Sequence, residues 1–404
     1  MKLEVFENGV RFLYKFKEGV HTSFCIGLEA GANREDMGNI GVAHALEHIL
    51  YKGTKKYNEM QINKKLDNLF AMNNAMTNYP YVIFYGVSSK DDFKEGFDLY
   101  SDIVLEPSFT EDGFKEELSV IKEESREWSD DSEQYCEDLL LESTFKNERI
   151  NRIIIGTEQY IENINIKKLK DFYNKFYVSE NMTVSFVGSL SYEEAREVVY
   201  NRFGRLVKRS VESMNFERKE FNSGIYKEFK LKTDSTKIQV AYDLSNLTLE
   251  EITLLRIFNM YFGEGVSSVL YDEIRTKRGL SYEVYSEVKW EKSIEIFKIA
   301  INTSNKHRNE VLKAISDIED NLLAMLDKLK LSDVKHLVKR YKLKLSLDIE
   351  RGILLANRST IYDVMFNEPN YIQKELDFDD NIDLDKFKEL ILSVFEKKAL
   401  MILE

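Results

Sequence analysis

Apolar and polar residues alternate along this chain with two periods, and each change of period marks an element. Residues 10–15 and 22–28 are aromatic and β-branched runs around a turn at Gly19, and they read as strands. Apolar positions at three- and four-residue spacing then predict helices over 39–50 and 58–69. Residues 76–88 read as one strand, with Pro80 at an edge or irregularity because proline cannot donate to a ladder. The helical period returns over 91–105 and stops at Glu106-Pro107-Ser108. A long helical pattern runs from Glu111 to about Lys146, with a break near 129–132. Residues 169–176, 182–187 and 192–206 follow as helix, strand and helix.

A similar order then recurs. Residues 226–231 and 237–242 read as strands, 249–262 and 267–276 as helices, and 282–288 and 294–302 as strands. Helical patterns fill 309–329, 332–347 and 356–366, and the chain closes with a helix at 385–397 and a strand at 400–403. The expected fold class is α+β: two similar halves, each a mixed or antiparallel sheet packed with helices. The polar stretch ending in Asn222-Ser223-Gly224 places the division, giving a first domain at 1–210, a linker at 211–225 and a second domain at 226–404.

Charge narrows the partners. The 404 residues carry 57 Lys+Arg against 70 Asp+Glu, a net charge of −13, which repels phosphate backbones and anionic lipid. Neither nucleic acid nor a membrane surface is expected as a main partner. No window approaches the roughly 18 continuous apolar residues of a membrane span. Cys25 and Cys136 lack CxxC spacing, so neither a disulfide framework nor a thiolate metal cage is encoded. The N-terminal stretch has neither the apolar core of a secretory signal nor an acid-free, Arg-rich presequence pattern, and a cytoplasmic location is expected.

The chemistry concentrates in His44-Ala45-Leu46-Glu47-His48. On a helix, positions i and i+4 share a face, so both imidazoles can reach one ion, with Glu47 on the same side. Zinc suits imidazole and carboxylate donors, and HxxEH is the inverted zinc-protease order. Two imidazoles do not make a catalytic site, so a third donor must come from elsewhere. The helix predicted through residues 114–124 buries Phe114, Leu118 and Ile121, and projects Glu117 and Glu124 from one side, two turns apart. Gly263-Glu264-Gly265 lacks the lysine of a phosphate loop, and the basic stretch at 335–344 reads as a solvated helix face.

With these residues in place, the chain resembles the pitrilysin–insulinase family of inverted zinc peptidases, which includes the mitochondrial processing peptidases. The resemblance rests on GLEAGANRED and GVAHALEHILYKGT between residues 27 and 54, and on Val120-Ile121-Lys122-Glu123-Glu124, whose Glu124 lies 76 residues past His48. Asn74-Ala75-Met76-Thr77, Asn181-Met182-Thr183, and Arg275 with Gly279-Leu280-Ser281-Tyr282 match further family elements. Phe70-Ala71-Met72 and residues 150–155 depart from the family pattern.

The resemblance implies a zinc endopeptidase acting on short or unfolded polypeptides, with one Zn2+ per chain held by His44, His48 and Glu124. Glu47 would be the general base and Glu117 the assisting glutamate. Asn74 and Ala75 would pair with substrate backbone, and Arg275 and Tyr282 would grip substrate opposite the metal. It also implies a chamber closed by a second two-domain unit, hence a homodimer, or a heterodimer with a related chain. The alternative reading is a non-catalytic or partner-dependent scaffold subunit of a heteromeric complex of that family.

Overall fold

The computed structural model describes residues 1–146, 149–212, 220–230 and 235–404. Residues 213–219 of the expected linker and the Leu231 end of the strand expected at 226–231 lie outside the described residues.

Six strands of the first half form one sheet: β1 (Lys2–Val5), β2 (Arg11–Phe16), β3 (His21–Leu28), β4 (Met72–Thr77), β5 (Val82–Ser89) and β6 (Met182–Gly188), in the order β1-β2-β6-β3-β5-β4. Five strands of the second half form another: β7 (Gly224–Glu228), β8 (Ser235–Asp243), β9 (Ser281–Glu291), β10 (Ile294–Ser304) and β11 (Lys398–Leu403), in the order β7-β11-β8-β10-β9. Dropping β1 makes the two orders identical. The sense of pairing agrees too: β2 with β6 and β7 with β11 are parallel, and the other matched pairs are antiparallel. The α+β duplication inferred from element order is therefore a duplication of topology.

Helices α1 (Val42–Leu50), α2 (Glu59–Leu69), α3 (Phe93–Leu105) and α4 (Glu111–Trp128) lie where the apolar spacing puts them. The pattern at 111–146 divides, and α5 (Ser132–Thr144) begins at Asp131, whose side chain caps the Glu133 and Gln134 N–H groups. A short α6 (Glu158–Glu162) was not foreseen; α7 (Ile166–Phe176) and α8 (Tyr192–Val199) follow. Beyond Val199 the expected helix at 192–206 widens into a π turn over Tyr200–Gly204. The second half carries α9 (Leu249–Phe262), α10 (Arg308–Asp320), α11 (Leu322–Lys328), α12 (Leu331–Glu350), α13 (Gly352–Phe366), α14 (Tyr371–Leu376) and α15 (Leu384–Val394). The single helix expected at 309–329 is thus two, parted at Asn321.

Two expectations need correction. Residues 76–88 are not one strand but a hairpin, β4 turning into β5 through Asn78–Tyr81, where the Asn78 N–H bonds the Tyr81 carbonyl at 2.8 Å. Pro80 sits in that turn, where no ladder donor is required. Nor are the compact units the contiguous segments 1–210 and 226–404. The first unit comprises Met1–Arg126, Arg152–Asn215 and Leu345–Leu376; the second comprises Glu127–Asn151, Phe216–Lys344 and Asp377–Glu404.

The reason is that each sheet is covered on both faces. In the first unit Phe24 and Ile26 of β3 join Leu46 of α1, Phe97 of α3 and Leu169 of α7. The alternate residue Cys25, with Ile83 and Val187, meets Ala356 and Met365 of α13. Gly27 permits that approach, since a Cβ there would lie 2.3 Å from Thr360 Cγ2. Asp363 of α13 fixes the register, accepting from Arg11 Nε at 2.7 Å and Thr183 Oγ1 at 2.7 Å. In the second unit Ile238, Val240 and Tyr242 of β8 pack with Leu255 and Phe258 of α9. α5 takes the opposite face: Gln239 donates to the Glu133 carbonyl at 3.0 Å, and Glu137 pairs with Lys289 and Lys298. A fully buried Val or Ile side chain contributes about 1.5–3 kcal/mol, so leaving the α13-covered face bare would expose Ile83 and Val187 at that cost each.

Candidate metal centre

α1 forms because Val42, Ala43, Ala45, Leu46, Ile49 and Leu50 make one buried stripe. The remaining face carries His44, Glu47 and His48, all half-buried. Gly41 starts the helix at φ +87°, and a Cβ there would meet the Ile155 carbonyl oxygen at 2.5 Å, so only glycine fits. The buried Glu35 carboxylate accepts from the Gly41 N–H at 3.0 Å and the Ala43 N–H at 2.7 Å. It satisfies donors that the first turn leaves open and sets negative charge against the positive helix end.

α4 buries Phe114 and Ile121 and presents Glu117 and Glu124 to α1. Glu124 Oε1 lies 3.6 Å from His44 Nε2, and Glu124 Oε2 lies 3.5 Å from His48 Nε2. One ligand atom from each of the three residues falls within 4.8 Å of the others, and the two imidazole centroids are 4.6 Å apart. Donors bonded at 2.0–2.2 Å around a tetrahedral ion stand about 3.3 Å from one another, so the trio fits an ion of zinc's size with little adjustment.

The surroundings favour a cation. Glu117 Oε1 is 2.8 Å from His48 Nδ1, which makes Nδ1 the protonated nitrogen and leaves Nε2 directed toward Glu124. Burial disfavours the charged imidazole of His48, but the Glu117 hydrogen bond and the charges of Glu47, Glu124 and Glu117 outweigh it and raise the pKa. Burial would likewise raise the Glu117 carboxyl, yet His48 and Lys52 hold it below the ordinary range. The adjacent His44 imidazole, against burial, does the same for Glu124. His44 Nδ1 is buried without a hydrogen-bond partner among the described residues.

Glu47 stands outside the ligand trio. Its Oε2 accepts from Thr77 Oγ1 at 2.5 Å. Thr77 belongs to β4, the last strand of the first sheet, which pairs with β5 alone among the described strands. Asn74 is exposed on that strand, its Oδ1 accepting from the Ala75 N–H at 2.9 Å, and Ala75 is buried. The strand's outer edge therefore offers backbone donors and acceptors beside Glu47.

In the second unit, Arg275 on the π turn Tyr271–Thr276 donates from Nη1 to the Tyr282 carbonyl at 2.8 Å. Its guanidinium lies 4.8 Å from the Tyr271 ring centre and 5.8 Å from that of Tyr282, a residue that is 89% exposed. Asp272 pairs with Lys277 at 2.9 Å. Sequence reasoning thus assembled His44, Glu47, His48, Glu117 and Glu124 and paired Arg275 with Tyr282. It missed Glu35, Lys52 and Thr77, whose contacts are made across separate elements; only the position of all three in or beside the family-like segments hinted at them.

Residues 15–158 match the family model for insulinase (peptidase family M16), and residues 163–338 match that for the peptidase M16 inactive domain. The chain belongs to the M16, insulinase-type peptidase family. The first M16 match contains α1 and α4 with His44, His48 and Glu124, and the second contains Arg275 and Tyr282. A relative described as an uncharacterized zinc protease of Rickettsia bellii is 26% identical over 308 residues, 76% of this chain and 73% of that one. The mitochondrial-processing peptidase subunit beta of Saccharomyces cerevisiae is 29% identical over 183 residues, 45% of this chain and 40% of that one. The crystal structure of a protease from Helicobacter pylori has the same fold, with a TM-score of 0.89, 18% identity, and 100% and 99% of the two chains covered.

Proposed function

We propose that this M16 chain is a zinc-dependent endopeptidase that hydrolyses peptide bonds of short or unfolded polypeptides. The observation that carries the reading is the convergence of His44, His48 and Glu124 within 4.8 Å, with Glu47 held alongside. His44, His48 and Glu124 would hold zinc, which would supply Lewis acidity to an attacking water and to the scissile carbonyl.

The chain's own residues do the rest. An extended substrate adds to the outer edge of β4, with the backbone at Asn74 and Ala75 as its ladder partner. Glu47 takes a proton from the attacking water on Oε1, since Oε2 is occupied by Thr77, and passes it to the leaving amine. The water's oxygen ends on the acyl carbon and the C–N bond breaks. Glu117 holds His48 in the tautomer that keeps Nε2 for the metal.

Two copies are proposed to enclose the reaction, Arg275 and Tyr282 of the second copy completing the site of the first; a related chain could take the second place. Arg275 would hold substrate backbone or carboxylate, and the Tyr282 hydroxyl would donate to the developing oxyanion. The free, buried Cys25 and Cys136 accord with a reducing compartment such as the cytoplasm. A non-catalytic scaffold would have no use for His44, Glu47, His48 and Glu124 together, and the inactive-domain match begins only at residue 163.

Metal analysis of the purified protein tests the reading. About one zinc per chain is expected for wild type, and His48→Ala or Glu124→Ala should lose it, because two protein donors do not retain a catalytic zinc. Stoichiometric zinc in either variant, or none in wild type, would contradict the assignment.

A further inference from the structure

We propose that Lys52 is a positioning residue of the metal centre, acting on His48 through Glu117. Lys52 lies two residues past the end of α1, and its N–H bonds the Ile49 carbonyl at 3.1 Å, so it is fixed to the last turn of the helix that carries both histidines. Its side chain is only 11% exposed. The ammonium lies 2.7 Å from Glu59 Oε1 at the start of α2, 3.3 Å from Glu117 Oε2 and 3.6 Å from Glu116 Oε2 on α4. The two oxygens of Glu117 are thus divided: Oε2 faces Lys52 and Oε1 faces His48 Nδ1. The result is a continuous chain from Glu59 through Lys52 and Glu117 to His48.

That division fixes the carboxylate's orientation. A carboxylate gripped at one oxygen alone can rotate about its last torsion; gripped at both, it cannot without losing a charge-assisted contact. Glu117 also sits among acidic neighbours, with Glu116 and Glu59 converging on the same ammonium. Without Lys52, a largely buried Glu117 would face them with no counter-charge and would withdraw from His48. The imidazole would then lose the contact that holds Nε2 toward Glu124. A positive charge near a cation site is unfavourable taken alone, so a lysine here is explained by what it does to Glu117. The competing reading is a structural tie between α1 and α2 through Glu59, which would leave metal binding unchanged.

The inference rests on the zinc reading of His44, His48 and Glu124, and chelator competition on zinc-loaded, full-length protein separates the two. Failure of wild type to hold zinc would sink the zinc reading itself, whereas the Lys52 inference is decided by the variants. Lys52→Met keeps the aliphatic stem and removes the charge. It should weaken zinc affinity by about 3–30-fold, somewhat less than loss of a residue bonded directly to a ligand. In a Glu117→Gln background the same substitution should change affinity less than about twofold, because its target is already gone. Lys52→Arg keeps a cation there and should recover most of the affinity. Unchanged zinc affinity in Lys52→Met, an equal loss with and without Glu117→Gln, or an equal loss in folded Lys52→Arg would each overturn the proposal.

Discussion

At the scale of single residues, what was legible in the sequence is what helical geometry makes local. His44, Glu47 and His48 share a face because they are three and four apart, and Glu117 and Glu124 share one because they are two turns apart. Glu35, Lys52 and Thr77 act across elements, on Gly41 and Ala43, Glu117, and Glu47, and no periodicity connects them. Thr77 is the clearest case under the proposed function, since its hydroxyl occupies one oxygen of Glu47, would leave the other for the proton, and would tie the proposed base to β4. Thr77→Val should lower kcat by about 5–20-fold with KM little changed, because misdirecting a general base acts on the transition state. Thr77→Ser should restore most of the rate. Steady-state kinetics on an unfolded peptide would check this, and a rise in KM alone would place Thr77 in binding.

At the scale of elements, the reading found most helices and strands but not which sheet each long helix covers. β3 and β8 are buried on both faces, yet a contiguous reading gives each sheet only the helices of its own half. α13 and α5 supply the missing faces, each with a buried acid set against cations of the strands: Asp363 on Arg11, and Glu137 on Lys289 and Lys298. Burial would raise the Glu137 carboxyl, but the two lysines outweigh it and hold it below 4.5. A carboxyl lowered in the folded state gives stability that is present above 4.5 and lost as pH falls through the folded value. Lys298 is opposed by burial but raised above 10.5 by Glu137 and Glu287, so its contribution is present below 10.5 and lost as pH rises through the raised value. Both tryptophans, Trp128 and Trp290, belong to the second unit, so their fluorescence reports its unfolding. Glu137→Gln should cost about 3 kcal/mol near neutral pH, the low end for breaking a buried pair because Lys298 keeps Glu287 at 2.7 Å. The variant should also lose part of the acid dependence seen below 4.5. Urea unfolding at several pH values would measure both, and an unchanged midpoint would show that the pair does not hold α5 in place.

At the scale of the whole molecule, element order alone revealed the duplication, and the matching strand orders explain it. The two halves keep one topology but differ in the residues they carry: the first has His44, His48 and Glu124, which could hold a metal ion, and the second has Arg275 and Tyr282. The proposed homodimer brings these into one site across copies, and subunit exchange can test that. Glu47→Gln and Arg275→Ala/Tyr282→Phe proteins should each be nearly inactive alone. Mixed and exchanged, they should recover roughly a quarter of wild-type activity, because about half the dimers are mixed and each has one sound site of two. No recovery despite demonstrated exchange would mean that the site is not shared between copies in this way.

The central claim is that Glu47 performs proton transfer at a zinc centre built by α1 and α4. The most direct test is turnover of an unfolded peptide by zinc-loaded Glu47→Gln beside wild type. The amide keeps the shape of the side chain and cannot accept the water's proton, so turnover should fall by about 10²–10⁴-fold with zinc retained. Undiminished hydrolysis by the zinc-loaded variant would contradict the account.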